Sequence, residues 1–236
     1  MGYVWFLYCF LLATTYFNNK LVILYCMKKS NLFLFGIILL SFIISFLAYP
    51  NMPDSMVSHW GIDNVPNGFM PKLFGLFLMP VLSVFIVGLF FLIPKIDPKK
   101  RNIKKFRKQY DLFIFVFVFF MLYIHLLVIF WNFGAVFSMI QFLSPAFAVL
   151  FYYLGILMSK AEQNWFIGIR TPWTLSSKEV WRKTHDKAST LFKIIGVLSF
   201  LGVLLPGLAL FLLLVPVLFS VVFLFVYSFF EFKKLK

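Results

Sequence analysis

Apolar residues in this chain fall in long unbroken blocks separated by short polar stretches, not at the spacing of a one-sided amphipathic helix. Six blocks approach the roughly 20 residues that a helix needs to cross a hydrocarbon core. They are 32–49, 73–93, 112–131, 139–158, 188–205 and 208–230. Pro94 is expected to close the second, and Pro206-Gly207 to part the fifth from the sixth. An earlier stretch, 2–17, is apolar but short, and Asn18, Asn19 and Lys20 interrupt it before 21–26 resumes. It reads as a seventh helix, as a signal peptide without a basic start, or as sequence ahead of a start at Met27. The run Met27-Lys28-Lys29-Ser30-Asn31 before the first full block favours the last, leaving 1–26 as an extension or extra apolar segment.

Composition agrees with the pattern. Hydrophobic residues make up 62% of the chain and charged ones 13%, against about half and a quarter in a soluble domain. The fold class expected is an all-α, polytopic membrane bundle of about six helices, with the lipid bilayer as its solvent. The 35 Phe residues read mainly as lipid-facing filler. Cys9 and Cys26 are the chain's two cysteines, which leaves no thiolate framework for the remainder.

The net charge of +14 sharpens the topology. Basic residues sit between apolar blocks, which points to a membrane surface and not to nucleic acid. Segment 95–111 holds eight: Lys95, Lys99, Lys100, Arg101, Lys104, Lys105, Arg107 and Lys108. Segment 159–187, with Lys193, holds seven more, and the tail adds Lys233, Lys234 and Lys236. Segments 50–71 and 132–138 hold none. Six crossings put every basic segment on one side, which the charge bias of membrane proteins identifies as cytoplasmic. Met27 and the C-terminus then both lie inside. The domains expected are a two-helix front part, 27–110, with an outward loop at 50–71, and a four-helix part, 111–236, with a cytoplasmic loop at 159–187.

Three places could carry chemistry. In the outward loop, His59 and Asp63 could share a metal or a proton, although two ligands make a poor zinc site; the alternative is an ordered cap anchored by Trp60 at the interface. In the cytoplasmic loop, Arg170 stands between a Gly turn and Thr171-Pro172, where its guanidinium could grip a phosphate or carboxylate. Ser176 and Glu179 have capping-box spacing, so a helix is expected from about Ser177. Trp181, Thr184, His185, Ala188 and Leu191 then share one of its faces. Trp165, Trp173 and Trp181 suit the headgroup level, and a plain lipid-docking loop is the competing account. The third place is His125, inside a membrane helix, where an ionisable group is either functional or satisfied by an interhelical hydrogen bond; Asn132 and Gln141 are the partners expected. No Walker loop, zinc-protease motif or serine elbow occurs, and no catalytic residue, metal or cofactor is assigned.

The residues of these loops carry a resemblance. Met52-Pro53-Asp54, Ser58-His59-Trp60, Asn67-Gly68-Phe69 and Lys72 resemble the front part of the SdpI family of membrane immunity proteins. The longer and more specific match is Trp165-Phe166-Ile167-Gly168-Ile169-Arg170-Thr171-Pro172-Trp173-Thr174-Leu175-Ser176, followed by Val180-Trp181 and Lys183-Thr184-His185, which resembles that family's signature. The resemblance implies a non-enzymatic protein that protects its cell from a secreted peptide toxin and relays the toxin's presence to a transcriptional repressor at the membrane. The candidate ligand or partner contacts, read from the residues themselves, are His59, Trp60, Asp63, His125, Arg170, Thr171, Pro172, Trp173, Trp181 and His185. Rival readings are a transporter or channel, for which Pro206-Gly207 and Pro216 would suit broken helices, and a membrane enzyme acting on lipid or a cell-wall precursor.

Overall fold

The computed structural model describes residues 29–235; the expected start at Met27 and the apolar stretch before it lie outside these residues. The chain runs α1 (Lys29–Ala48), a 3-10 turn (Tyr49–Asn51), strands β1 (Ser55–Trp60) and β2 (Pro66–Pro71), α2 (Lys72–Ile96), α3 (Lys100–Lys105), α4 (Arg107–Asn132), α5 (Met139–Lys160), α6 (Pro172–Ser176), α7 (Lys178–Leu201), a 3-10 turn (Pro206–Leu208) and α8 (Ala209–Lys233). The all-α membrane class is borne out. Five of the described helices are long and apolar enough to cross a membrane: α1, α2, α4, α5 and α8, two of them with their neighbouring 3-10 turns. Their outward faces carry bare apolar side chains such as Leu47 (73% exposed) and Leu218 (64%), a cost that lipid removes.

The fifth expected helix, α7, differs. It starts ten residues before the expected block, because Ser177 caps it through Val180 N–H, and its first half carries Lys178, Glu179, Arg182, Lys183, Asp186 and Lys187. It is held in place by packing. A Cβ on Gly155 of α5 would stand 2.7 Å from the Ser189 carbonyl, and one on Gly196 of α7 would stand 2.8 Å from the Ala148 carbonyl. Glycine at both positions lets two helix backbones touch, the close approach that drives helix association in lipid. Pro94 does not close α2, which continues to Ile96; Pro80, Pro145 and Pro216 also lie inside helices, as membrane helices allow.

Segment 50–71, expected as a turn-rich loop, contains an antiparallel hairpin. Ser55 pairs with Pro71, Met56 with Met70, Val57 with Phe69, and the register slips around His59. Asn64 takes the left-handed conformation (φ 63°) in the turn, which Asn tolerates better than most residues. The base is closed by Lys72 N–H donating to the Asp54 carbonyl and by a Lys72–Asp54 ion pair at 3.1 Å.

Three apolar clusters stack along the bundle, the smallest joining Leu127, Trp131 and Met139 beside the hairpin. Met52, Met56, Leu76 and Ile129 bury together under the hairpin. Toward the other end Leu34, Ile103, Phe106, Tyr110, Ile114, Leu157 and Leu224 form the larger core. That end gathers α3 and the charged starts of α4 and α7, and is called the basic end below.

Candidate functional site

The loop between α5 and α7 folds around polar side chains that water cannot reach. Asn164 is fully buried. Its Oδ1 accepts from the backbone N–H groups of Phe166 (2.9 Å) and Ile167 (2.6 Å), and its Nδ2 donates to the carbonyls of Glu162 and Ile167. One side chain thereby satisfies four backbone groups of a loop that has no ladder of its own. Gln163 reaches the other way. Its Nε2 donates to the Thr174 and Leu175 carbonyls, and its Oε1 accepts from Lys99 Nζ at 2.7 Å. Asn102 donates to the Gln163 carbonyl, and buried Asp97 accepts from the N–H groups of Lys99 and Trp165. The corner between α2 and α3 and the α5–α7 loop are thus one hydrogen-bonded unit.

The signature residues complete it. Trp181 Nε1 donates to the Ala161 carbonyl at 2.7 Å, and its ring stacks on His185 with centroids 4.0 Å apart. Ile169 N–H donates to His185 Nε2 (3.1 Å), so the ring's proton sits on Nδ1, which donates to the Trp181 carbonyl (2.8 Å). Burial lowers the His185 pKa to about 4, with its bond to the Trp181 carbonyl pulling weakly the other way; the imidazole is neutral. Gly168, at φ +114°, lies against this ring pair. The reciprocal cap falls at Thr171 and Thr174, not at the expected Ser176 and Glu179, because Pro172 starts the short helix α6 and Ser176 turns back to the Pro172 carbonyl.

The unit is tied to α8. Thr171 Oγ1 lies 3.0 Å from Ser228 Oγ, and Trp173 meets Phe225 and Phe229 edge-on. Lys183 pairs with Glu179 and with Glu231 of α8, both at 3.0 Å; hydrogen bonds to these two carboxylates raise its pKa. Arg170 is exposed, and its guanidinium donates to the Trp165 carbonyl at 2.7 Å. Beside α7 the loop leaves a cleft of about 470 Å³.

The hairpin end is built by two asparagines. Asn132, at the end of α4, accepts from Val57 N–H (2.8 Å) and donates to the Val57 carbonyl (3.0 Å), as a third strand would. Asn64 donates to the Phe137 carbonyl and accepts from Met139 N–H. Trp60 stands edge-on to Trp131. His59 pairs with Asn67, and Asp63 accepts from Val65 N–H, so the two do not join in a shared metal or proton site. A cleft of about 460 Å³ lies between the hairpin and α4, α5 and α8, lined by His59, Trp60 and Ile62 above and by Ile124, Val128 and Leu210 below. Trp60 Nε1 is buried with no acceptor among the described residues.

His125 is fully buried in α4. Its partner is Ser45 of α1 (3.1 Å), which also donates to the Leu76 carbonyl of α2 (2.8 Å). The expected partners are engaged elsewhere, Asn132 with the hairpin and Gln141 with the Val203 carbonyl. The ten candidate residues therefore fall into three groups: His59, Trp60 and Asp63 at the hairpin end, His125 mid-bundle, and Arg170, Thr171, Pro172, Trp173, Trp181 and His185 at the basic end. Sequence reasoning missed Asp97, Gln163 and Asn164, which hold the basic end together.

Fold and site define a multi-pass helical membrane protein whose two ends are each ordered by side-chain hydrogen bonds, buried at the basic end and half-buried at the hairpin. The SdpI/YfhL protein family model matches residues 160–228, and a domain of unknown function (DUF1648) matches 36–84. The Immunity protein SdpI of Bacillus subtilis (strain 168) is 26% identical over 176 residues, covering 73% of this chain and 82% of that protein. The resemblance to the SdpI family is therefore established. No solved structure matches the chain.

Proposed function

We propose that this chain is a membrane protein of the toxin-immunity type, with the hairpin end facing outward and the basic end facing the cytoplasm. The observation that carries this reading is the extended match to a curated immunity protein, which runs across most of both chains. The charge distribution supports the orientation, since the basic end holds the lysine-rich segments. A secreted peptide reaching the outer face meets the cleft under the hairpin, where the Trp60 ring stands above Ile124, Val128 and Leu210. Binding there bears on α4 and on the α4–α5 connection through Asn132 and Asn64, and the far ends of α4 and α5 frame the basic end. Relay to a cytoplasmic repressor would use this path, with Arg170 as the exposed contact; such relay requires two discrete packings of the helices. The domain division proposed is a front part, 27–110, and a back part, 111–236, parted within the first turn of α4.

The test is protection. A sensitive strain expressing the chain survives challenge with the matching secreted peptide, and Arg170→Ala removes the response while membrane insertion stays normal. Survival no better than an empty vector against peptides encoded beside the gene would overturn the immunity reading. Full protection by the Arg170 variant would remove only the assigned role of that residue.

A further inference from the structure

The cleft at the basic end has the position and charge of a lipid site. Antiparallel packing sets Gly155 against Ser189 and Lys193, and Gly196 against Ala148 and Tyr152. Carried outward, this register puts Lys160, the last residue of α5, level with Asp186. Lys178 then stands about 12 Å farther out at 1.5 Å per residue. The 22 residues of α5 span about 33 Å, close to the roughly 30 Å of a hydrocarbon core. Lys160 thus marks the edge of that core; the turn of α7 from Asp186 to Arg182 crosses a headgroup layer roughly 5–8 Å thick, and Lys178 stands beyond its outer edge. The cleft of about 470 Å³ lies along this rise.

Its walls carry Lys105, Lys160, Lys178 and Arg182, with Glu162 and Asp186 as the opposing carboxylates. Lys105 pairs with Glu162 at 3.6 Å and Arg182 with Asp186 at 3.2 Å. Lys160 and Lys178 form no ion pair among the described residues and are exposed. The back of the cleft is uncharged, formed by Trp181 and by His185, whose two ring nitrogens are both occupied. Two uncommitted ammonium groups therefore bracket a polar recess, Lys160 at the inner edge of the headgroup layer and Lys178 beyond its outer edge.

We infer that this cleft binds the phosphate headgroup of an anionic phospholipid, with Lys160 and Lys178 as its cationic contacts. The inference does not depend on immunity activity or on which face is cytoplasmic. The full chain, reconstituted in nanodiscs or released from mixed micelles, is analysed by native mass spectrometry with phosphatidylglycerol and phosphatidylcholine. Phosphatidylglycerol is retained and phosphatidylcholine is not. Lys160→Gln/Lys178→Gln weakens retention by about tenfold or more, given roughly 1 kcal/mol per cation at an anionic surface. Lys104→Gln/Lys108→Gln, which removes two exposed cations outside the cleft, leaves retention unchanged. Equal loss in both double variants means diffuse attraction and overturns the site. Inorganic phosphate displacing the lipid at millimolar concentration, or binding equally well in pure phosphatidylcholine discs, would assign the cleft to a soluble phosphate ligand and overturn the lipid assignment.

Discussion

Gly168→Ala puts the architecture of the basic end to a quantitative test. Gly168 sits at φ +114°, a region L-residues occupy at a cost of about 1–3 kcal/mol. The added methyl would also collide with His185 Nε2 and stand 3.2 Å from the Trp181 ring. His185 cannot yield without giving up the Ile169 N–H bond, and a buried donor left unpaired costs about 1–3 kcal/mol. The two effects together reach about 2–6 kcal/mol, which at roughly 2–4 °C per kcal/mol for a soluble domain of this size lowers Tm by roughly 10 °C. Thermal unfolding of the purified protein in detergent, followed by far-ultraviolet circular dichroism and tryptophan emission, measures it. Gly36→Ala and Gly88→Ala are the controls, because nothing lies within 4 Å of a Cβ at either position. A Gly168 variant melting within about 2 °C of the parent, like the controls, would show that the ring pair and the loop turn are not coupled as described.

Other outcomes follow from the same contacts. His185 has a folded pKa of about 4 against an ordinary 6.5, so the unfolded chain takes up the proton first as pH falls. Its contribution is full above pH 6.5 and is lost between 6.5 and about 4, amounting to roughly 3 kcal/mol; His185→Gln flattens the stability–pH curve over that window, and an unchanged curve refutes the assignment. Asn132→Ala removes both bonds to Val57, costing about 2 kcal/mol and making 55–71 the earliest site of limited proteolysis; unaltered cleavage means the clamp does not hold the hairpin. Ser45→Ala breaks the link among α1, α2 and α4 and lowers stability by about 1 kcal/mol, since hydrogen bonds between membrane helices are modest; a loss several times larger would mean that His125 depends wholly on this serine.

Much of the bundle was legible because charge in oil is costly and apolar blocks of fixed length leave few arrangements. The start of α7 near Ser177 and its buried face through Trp181, Thr184, His185 and Ala188 also followed from spacing. The hairpin did not, because its first strand is completed by a side chain 75 positions away, Asn132 bonding Val57. A hydrogen-bonding partner at that distance leaves no local period. The buried roles of Asp97, Gln163 and Asn164 were hidden for a related reason. Beside so many lysines these residues read as solvated, and only tertiary closure shows that they serve backbone groups. His125 offered a signal that was passed over: Ser41 and Ser45 lie four apart on an otherwise apolar helix, and a serine pair in that setting marks a face turned toward protein.

The glycine contacts between α5 and α7 decide where this molecule can bend. With main chain resting on main chain at Gly155 and Gly196, neither helix can slide past the other without steric overlap, so the pair behaves as a stiff spine. A message passing along α4 from one side of the bilayer to the other is then carried by displacement of α4 and the front helices against this spine, and spectroscopic labels intended to catch motion belong there.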